Sequence, residues 1–238
     1  MAVVYGNKPE LITNGLQLYL NAANYNSYPG SGSTWYDLSG NNRNCSWISA
    51  PSYSTDEVGG YFSTLGNRCS GPASNTFGIN NTSGYTILVA CRQISLVATG
   101  AFHFYSSNGS DGSASRGIFS HLTWSNDIVY IDQGGCCNSD TRTQVASGGS
   151  FTWNLWCFTK DNSSRRIYKN HLMLQQNTAE AANINLDSRN VDVVGSADYG
   201  GNSSTWNAKI SAFAVYNRGL SESEVKENFS ALKGRFSL

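Results

Sequence analysis

The chain has 238 residues, sixteen basic side chains balanced by sixteen acidic ones, and only 13% charged residues. That length suits one large β-domain, since all-β sandwiches run to about 200–250 residues, and it can bury a core without staples. The balance leaves no basic stripe for a nucleic-acid duplex, no basic amphipathic helix for a membrane surface, and no run of the ~18 apolar residues that span a bilayer.

Residues 1–12 read as a short N-terminal arm, and Met1 to Tyr5 lack the charged start and apolar core of an export signal, which predicts a soluble protein made in a cytoplasm. Leu16-Gln17-Leu18-Tyr19-Leu20 alternates with its leucines on one face, and Tyr85 to Ala90 is β-branched and nearly continuous. Ile128 to Ile131 and Lys209 to Tyr216 read as strands in the same way, with weaker candidates at Leu155–Thr159, Arg166–Lys169 and Val191–Val194. Turn clusters separate them, such as Tyr28-Pro29-Gly30-Ser31-Gly32, Ser107-Asn108-Gly109-Ser110 and Ser147-Gly148-Gly149-Ser150. With 24 Gly, 4 Pro and 12% aromatic residues, the chain has the make-up of a loop-rich β protein.

One helix is predicted, over about 221–232. Ser221 caps it and Glu224 completes a capping box. Val225, Phe229 and Leu232 share one face for docking on the sheets, and Gly234 is the expected stop. No stretch alternates strands with long helices, so a parallel α/β sheet is not expected, and many short strands with turns between them favour an all-β sandwich or barrel with one short C-terminal helix, formed by residues 1–238 as a single domain.

Six cysteines occur: Cys45, Cys69, Cys91, Cys136, Cys137 and Cys157. A reducing compartment argues against disulfides, and Cys91 and Cys157 lie in apolar runs where a free thiol packs as a small hydrophobe. Cys136-Cys137 is a poor zinc signal because neighbours do not easily share one tetrahedron. The pair is expected as free thiols, with a vicinal disulfide as the alternative in an oxidising medium.

Three segments together carry a resemblance. The first runs from Asn14-Gly15-Leu16-Gln17-Leu18-Tyr19-Leu20-Asn21-Ala22 into Thr34-Trp35-Tyr36-Asp37-Leu38-Ser39-Gly40-Asn41. The second is His121-Leu122-Thr123-Trp124-Ser125-Asn126-Asp127-Ile128-Val129-Tyr130-Ile131-Asp132, followed by Cys136-Cys137-Asn138. The third is Ile210 to Ser221, continuing through Glu224-Val225 to Asn228-Phe229. They resemble the concanavalin A-like, laminin-G-like jelly-roll domains in structural proteins of tailed phages, notably cyanophages. The resemblance implies a two-sheet antiparallel jelly-roll sandwich, and a virion-surface protein: a capsid decoration, fibre or tail-appendage subunit. Its expected partners are other virion proteins, further copies of itself in a homo-oligomer, and host-surface glycan. This chain has Leu20-Asn21-Ala22 where the family reads Leu-Asp-Ala. The family's Phe-Asp-Gly is replaced near Tyr61 to Leu65, and both changes remove a carboxylate from an inherited calcium site. The family's Tyr-x-Asn-Gly turn reads Tyr168-Lys169-Asn170-His171, which puts a histidine where positive φ is needed.

The residues give enzymatic chemistry little support. Retaining glycosidases need two carboxylates about 5–5.5 Å apart, which relatives of this fold place as Glu-x-Asp-x-x-Glu on one strand. No such string occurs, Asp56 and Glu57 would face opposite ways, and Glu180 stands alone. His103, His121 and His171 fall in separate segments, and no Gly-x-Ser-x-Gly elbow is present. No cofactor is expected, apart from calcium on Asp37, Asp127 and Asp132, whose oxygens suit a hard cation. The competing reading of Asp37 is an Asx-turn through Ser39. Glycan readers stack sugars on aromatic faces and bind hydroxyls with amides, so Trp206, Tyr199, Asn202, Trp124 and Asn126 are the candidate contacts for glycan or partner. The expected function is therefore non-enzymatic binding at a virion surface. The alternatives are a carbohydrate-active enzyme or its binding module, and an architectural cement protein that binds no sugar.

Overall fold

The computed structural model describes residues 11–55, 57–107, 116–197 and 206–238. Sixteen strands lie among them: β1 (Leu16–Asn21), β2 (Thr34–Trp35), β3 (Cys45–Trp47), β4 (Ser52–Ser54), β5 (Tyr61–Ser63), β6 (Cys69–Ala73), β7 (Tyr85–Gln93), β8 (Phe102–Tyr105), β9 (Arg116–His121), β10 (Ile128–Gln133), β11 (Arg142–Ala146), β12 (Asn154–Lys160), β13 (Arg165–Lys169), β14 (Leu172–Asn177), β15 (Asn190–Val194) and β16 (Ala208–Tyr216). One α-helix follows, α1 (Glu222–Leu232). The strands form two eight-stranded antiparallel sheets. The first runs β14-β13-β12-β7-β16-β5-β4, with β1 also pairing to β16; the second runs β11-β10-β9-β8-β15-β6-β3-β2. The jelly-roll sandwich expected from the sequence is what the chain adopts. No helix among the described residues is long and apolar enough to cross a membrane.

The main core lies between the sheets. Leu18, Leu20, Ile87, Val89, Phe158, Phe213 and Val215 from the first sheet meet Phe102, Phe104, Ile118, Val129, Ile131 and Val191 from the second. A second apolar cluster lies on the far side of the first sheet, where Val225, Phe229, Leu232 and Phe236 cover Leu88, Leu155, Cys157, Ala212 and Ala214. Central strands β7, β12 and β16 are thus buried on both faces, which is why they read as near-continuous apolar runs. Only glycine fits at Gly84, where φ is +73° and an added Cβ would meet the Lys160 carbonyl.

The helix has the predicted capping box between Ser221 and Glu224. Gly234 is not its stop. The last turn tightens into a 3-10 segment, Lys233–Arg235, with the N–H of Lys233 on the Phe229 carbonyl. Residues 1–10 of the expected arm lie outside the described residues. Leu11 and Ile12 are not a free arm: both pack on the helix-side cluster, and the Ile12 N–H donates to Asn228 Oδ1 at 2.8 Å. The Asn170-His171 turn takes positive φ at both residues, 50° and 70°, as a two-residue hairpin of this hand requires. Cys45, Cys69, Cys91 and Cys157 are buried free thiols. Cys136 and Cys137, expected as free thiols, are joined in a vicinal disulfide. The compartment argument set chemistry against this bond, but neighbouring residues have almost no loop entropy to lose in forming it.

Candidate functional site

The outward face of the second sheet does not follow the usual alternation of buried apolar with solvated polar. Strand register lines up Ser70, Asp192, His103, Phe119, Asp132 and Arg142 in one transverse row across β6, β15, β8, β9, β10 and β11. These residues have the opposite parity to Val191, Phe102, Phe104, Val129 and Ile131, which point into the core. A register shift between β8 and β9 at Phe104/Tyr105 changes the phase of β9 and brings Arg116 onto the same face, with its guanidinium 4.5 Å over the Phe119 ring.

Charge on this face is paired at short range. Both oxygens of Asp132 are engaged, Oδ1 by Arg142 Nε at 2.5 Å and Oδ2 by Arg142 Nη2 at 2.7 Å and by Arg116 Nη1. Asp192 accepts from Arg68 Nη1 at 2.9 Å, from Ser70 Oγ and from Tyr105 OH at 2.5 Å, and from the Ala197 N–H at 3.0 Å. Burial and the Asp192 carboxylate push the Tyr105 phenol well above its usual range. His121 is buried, and its Nδ1 donates to the Thr99 carbonyl at 2.7 Å, which fixes the tautomer. Burial, reinforced by Arg116 and Arg142, lowers its pKa to about 3, so the ring is neutral.

A small slot of about 220 Å³ opens at the β9–β10 end of this face, lined by Arg116, His121, Trp124, Tyr130, Cys137 and Arg142. Its walls are built locally. Trp124 to Ile128 form a tight connection closed by the Trp124 N–H on the Ile128 carbonyl at 2.9 Å, and Asp127 takes φ 61° within it. That turn sets the Trp124 indole against His121, with centroids 4.3 Å apart in a T-shaped pair. The Arg142 guanidinium lies 4.4 Å over the Tyr130 ring. Asn126 is exposed, and its Nδ2 donates to the Tyr130 hydroxyl at 2.8 Å. Half-buried Trp124 and exposed Cys137 complete the rim. Together they offer ring faces for stacking and amide and guanidinium groups for hydrogen bonding.

The structure therefore places one predicted contact, Trp124, in the slot, and a second, Asn126, behind it on the hydroxyl of the lining residue Tyr130. Trp206 does not join them. It is 1% exposed, part of the intersheet core, and its indole donates to Gln93 Oε1 at 2.8 Å and to the Leu122 carbonyl. Its role is to anchor the loop that carries Trp124, since an aromatic beside polar turn residues packs inward when its N–H finds a buried acceptor. Tyr199 and Asn202 lie outside the described residues. Trp35 and Trp47 are also core residues, stacked 6.1 Å apart.

Nor do the three aspartates suit calcium. Asp37 accepts the N–H groups of Tyr19, Ser39 and Arg43 and the Ser39 hydroxyl, at 2.8 to 3.0 Å, which is the Asx-turn reading. Asp132 is held by arginines, and Asp127 Oδ1 accepts from Ser147 Oγ at 2.6 Å. Among the described residues no group of three or more His, Cys, Asp or Glu side chains is placed to hold a metal. Sequence reasoning missed the contribution of His121, Tyr130 and Arg142, whose convergence depends on strand register. It also missed Tyr25, 76% exposed above a groove of about 720 Å³ beside Leu16, Leu38 and Leu232.

A family model described as the concanavalin A-like lectin/glucanases superfamily, of laminin-G type, matches residues 67–226. The chain belongs to this superfamily. The match takes in the slot and the whole of the transverse row. No curated protein sequence matches the chain. Superfamily-like folds among solved structures include a Trypanosoma rangeli sialidase, at 15% identity and TM-score 0.62, covering 92% of this chain and 33% of the sialidase. The binding domain of Paraclostridial Mosquitocidal Protein 1 aligns at 16% identity and TM-score 0.64, over 91% of this chain and 52% of that one. The binding domain of botulinum neurotoxin DC, solved in complex with SialylT, aligns at 14% identity and TM-score 0.66, over 92% and 52%. The chain thus spans about a third to a half of these proteins, and the likeness is one of fold.

Proposed function

We propose that the chain is a non-enzymatic, lectin-like binding domain displayed on the surface of a tailed-phage particle, where it meets neighbouring virion subunits and host-surface glycan through the Trp124 slot. The observation that carries this reading is the pairing on the outer face of the second sheet. Asp132 and Asp192 are fully buried and held by arginines, so neither is poised as a general acid or nucleophile. Beside them, ring faces and amides stand at an open slot, which is chemistry for contact. Trp124 and Cys137, from the two segments that carry the phage resemblance, line it. Toxin binding domains with this fold, one of them solved with SialylT, support a carbohydrate ligand.

A glycan array probed with the purified chain and with Trp124→Ala tests the slot. Saturable binding that weakens about tenfold or more in the variant is expected, since losing one aromatic contact is worth of order 1–2 kcal/mol. Turnover of any bound glycan, or binding indifferent to Trp124, overturns this reading. Electron microscopy of purified particles with a labelled chain tests the location.

A further inference from the structure

A different cavity lies at the end of the sandwich where the β12–β13 hairpin turns. Core-facing positions alternate along these strands: Trp156 and Phe158 on β12 and Ile167 on β13 point between the sheets. The next core-facing positions are Lys160 and Arg165, which pair with each other across the hairpin. Two cations therefore occupy places where the pattern calls for apolar side chains. Both are buried, Arg165 at 1% exposure. They line a cavity of about 460 Å³ together with Asn81, Ser164, Glu180 and Asn183.

Both cations feel carboxylates only at a distance, Lys160 that of Asp161 and Arg165 those of Asp140 and Asp132. Among the described residues, no ion pair involves Lys160 or Arg165. Lys160 Nζ donates to the Asn81 carbonyl. Arg165 Nη2 donates to the Ser139 carbonyl at 2.7 Å, but its Nε and Nη1 are buried with no acceptor, and the buried Ser164 hydroxyl also lacks a partner. Nearby carboxylates are occupied. Asp132 is held by Arg116 and Arg142, and Asp161 by Arg166 at 2.6 Å and by its own turn. A buried guanidinium with two donor nitrogens unmatched is unfavourable unless something supplies an acceptor. The cavity offers the room for one, and planar guanidinium donors beside an ammonium suit an oxyanion.

We propose that this cavity binds an oxyanion, a carboxylate, sulfate or phosphate group, held by Arg165 and Lys160 with the Ser164 hydroxyl. Exposed Glu180 stands at the rim and opposes an incoming negative charge. The site is separate from the Trp124 slot and shares no lining residue with it.

Isothermal titration of the whole chain with sodium sulfate, sodium phosphate and a sulfated oligosaccharide, at constant ionic strength, tests the proposal. Saturable binding is expected, weakened about tenfold or more by Arg165→Gln and by Lys160→Gln, because charge-assisted hydrogen bonds are lost. Glu180→Gln, a surface change that leaves the core untouched, should tighten it. Should Arg165→Gln not fold, Lys160→Gln and Glu180→Gln still decide the matter. Binding of the inorganic ions assigns the site to free anions, and binding of the oligosaccharide alone assigns it to an acidic sugar. No saturable binding of any of the three by the unaltered chain, which would leave water as the acceptor, overturns the proposal. So does binding that ignores both Lys160 and Glu180. Absence of glycan binding by the unaltered chain, or glycan binding indifferent to Trp124→Ala, with anion binding intact would sink the slot and spare this site.

Discussion

The indole Nε1 of Trp206 lies 2.8 Å from Gln93 Oε1, and both side chains are buried, so this tryptophan ties the segment leading into β16 to the end of β7 from inside the sandwich. The Gln93 amide in turn donates to the Ser95 carbonyl at 2.6 Å.

Trp206 is therefore expected to control stability. Trp206→Phe keeps most of the buried ring but leaves Gln93 Oε1 and the Leu122 carbonyl without their donor, at a cost of about 1–3 kcal/mol. Trp206→Ala adds a cavity, for a total of about 3–5 kcal/mol. Urea unfolding midpoints measure both. An alanine variant of unchanged stability would put Trp206 outside the core.

Asp132 and its two arginines make a second test. Asp132→Asn leaves two largely buried guanidiniums without their counter-charge and should cost about 3–5 kcal/mol. Arg166→Gln removes a partly exposed pair with Asp161 and should cost no more than about 1 kcal/mol. Denaturation of the two variants side by side separates a structural ion-pair cluster from a solvated one. Equal, small losses would contradict the burial of Asp132.

His121 gives the fold a pH dependence. Its folded pKa, about 3, lies below the ordinary 6.5, so the unfolded chain binds the extra proton. The stabilisation is fully present above pH 6.5 and is lost as pH falls toward 3. The slope approaches about 1.4 kcal/mol per pH unit. Carboxylates held low by arginines, such as Glu224 at about 2, add their own loss only below their ordinary 4.5. Between pH 6.5 and 4.5 the histidine therefore contributes ahead of these carboxylates. Chemical denaturation across that window should show stability falling with acid in the unaltered chain and a flatter profile in His121→Gln.

The Ser221 cap, the positive-φ Asn170-His171 turn and strands β1, β7, β10 and β16 were legible because local rules govern them. A capping box spans four residues, a hairpin turn two, and an apolar run buried on both faces is visible without knowing its neighbours. Strands β8 and β9 were not legible. Their Phe-His-Phe-Tyr and Arg-Gly-Ile-Phe-Ser-His strings hide the alternation, because the outward face is itself packed with aromatic and charged groups.

By itself the sequence determined the fold class, the C-terminal helix and the aromatic and amide chemistry of the Trp124 segment. Whether an aromatic faces solvent or core was decided only in three dimensions. Trp124 and Trp206 sit in similar polar contexts, yet a buried acceptor on β7 draws one inside and a tight turn holds the other at the rim. The same holds for charge. Asp132, Arg116 and Arg142 become one cluster, and Lys160 comes to lie beside Arg165 at the cavity, through strand register, which a reading of the chain in order does not give.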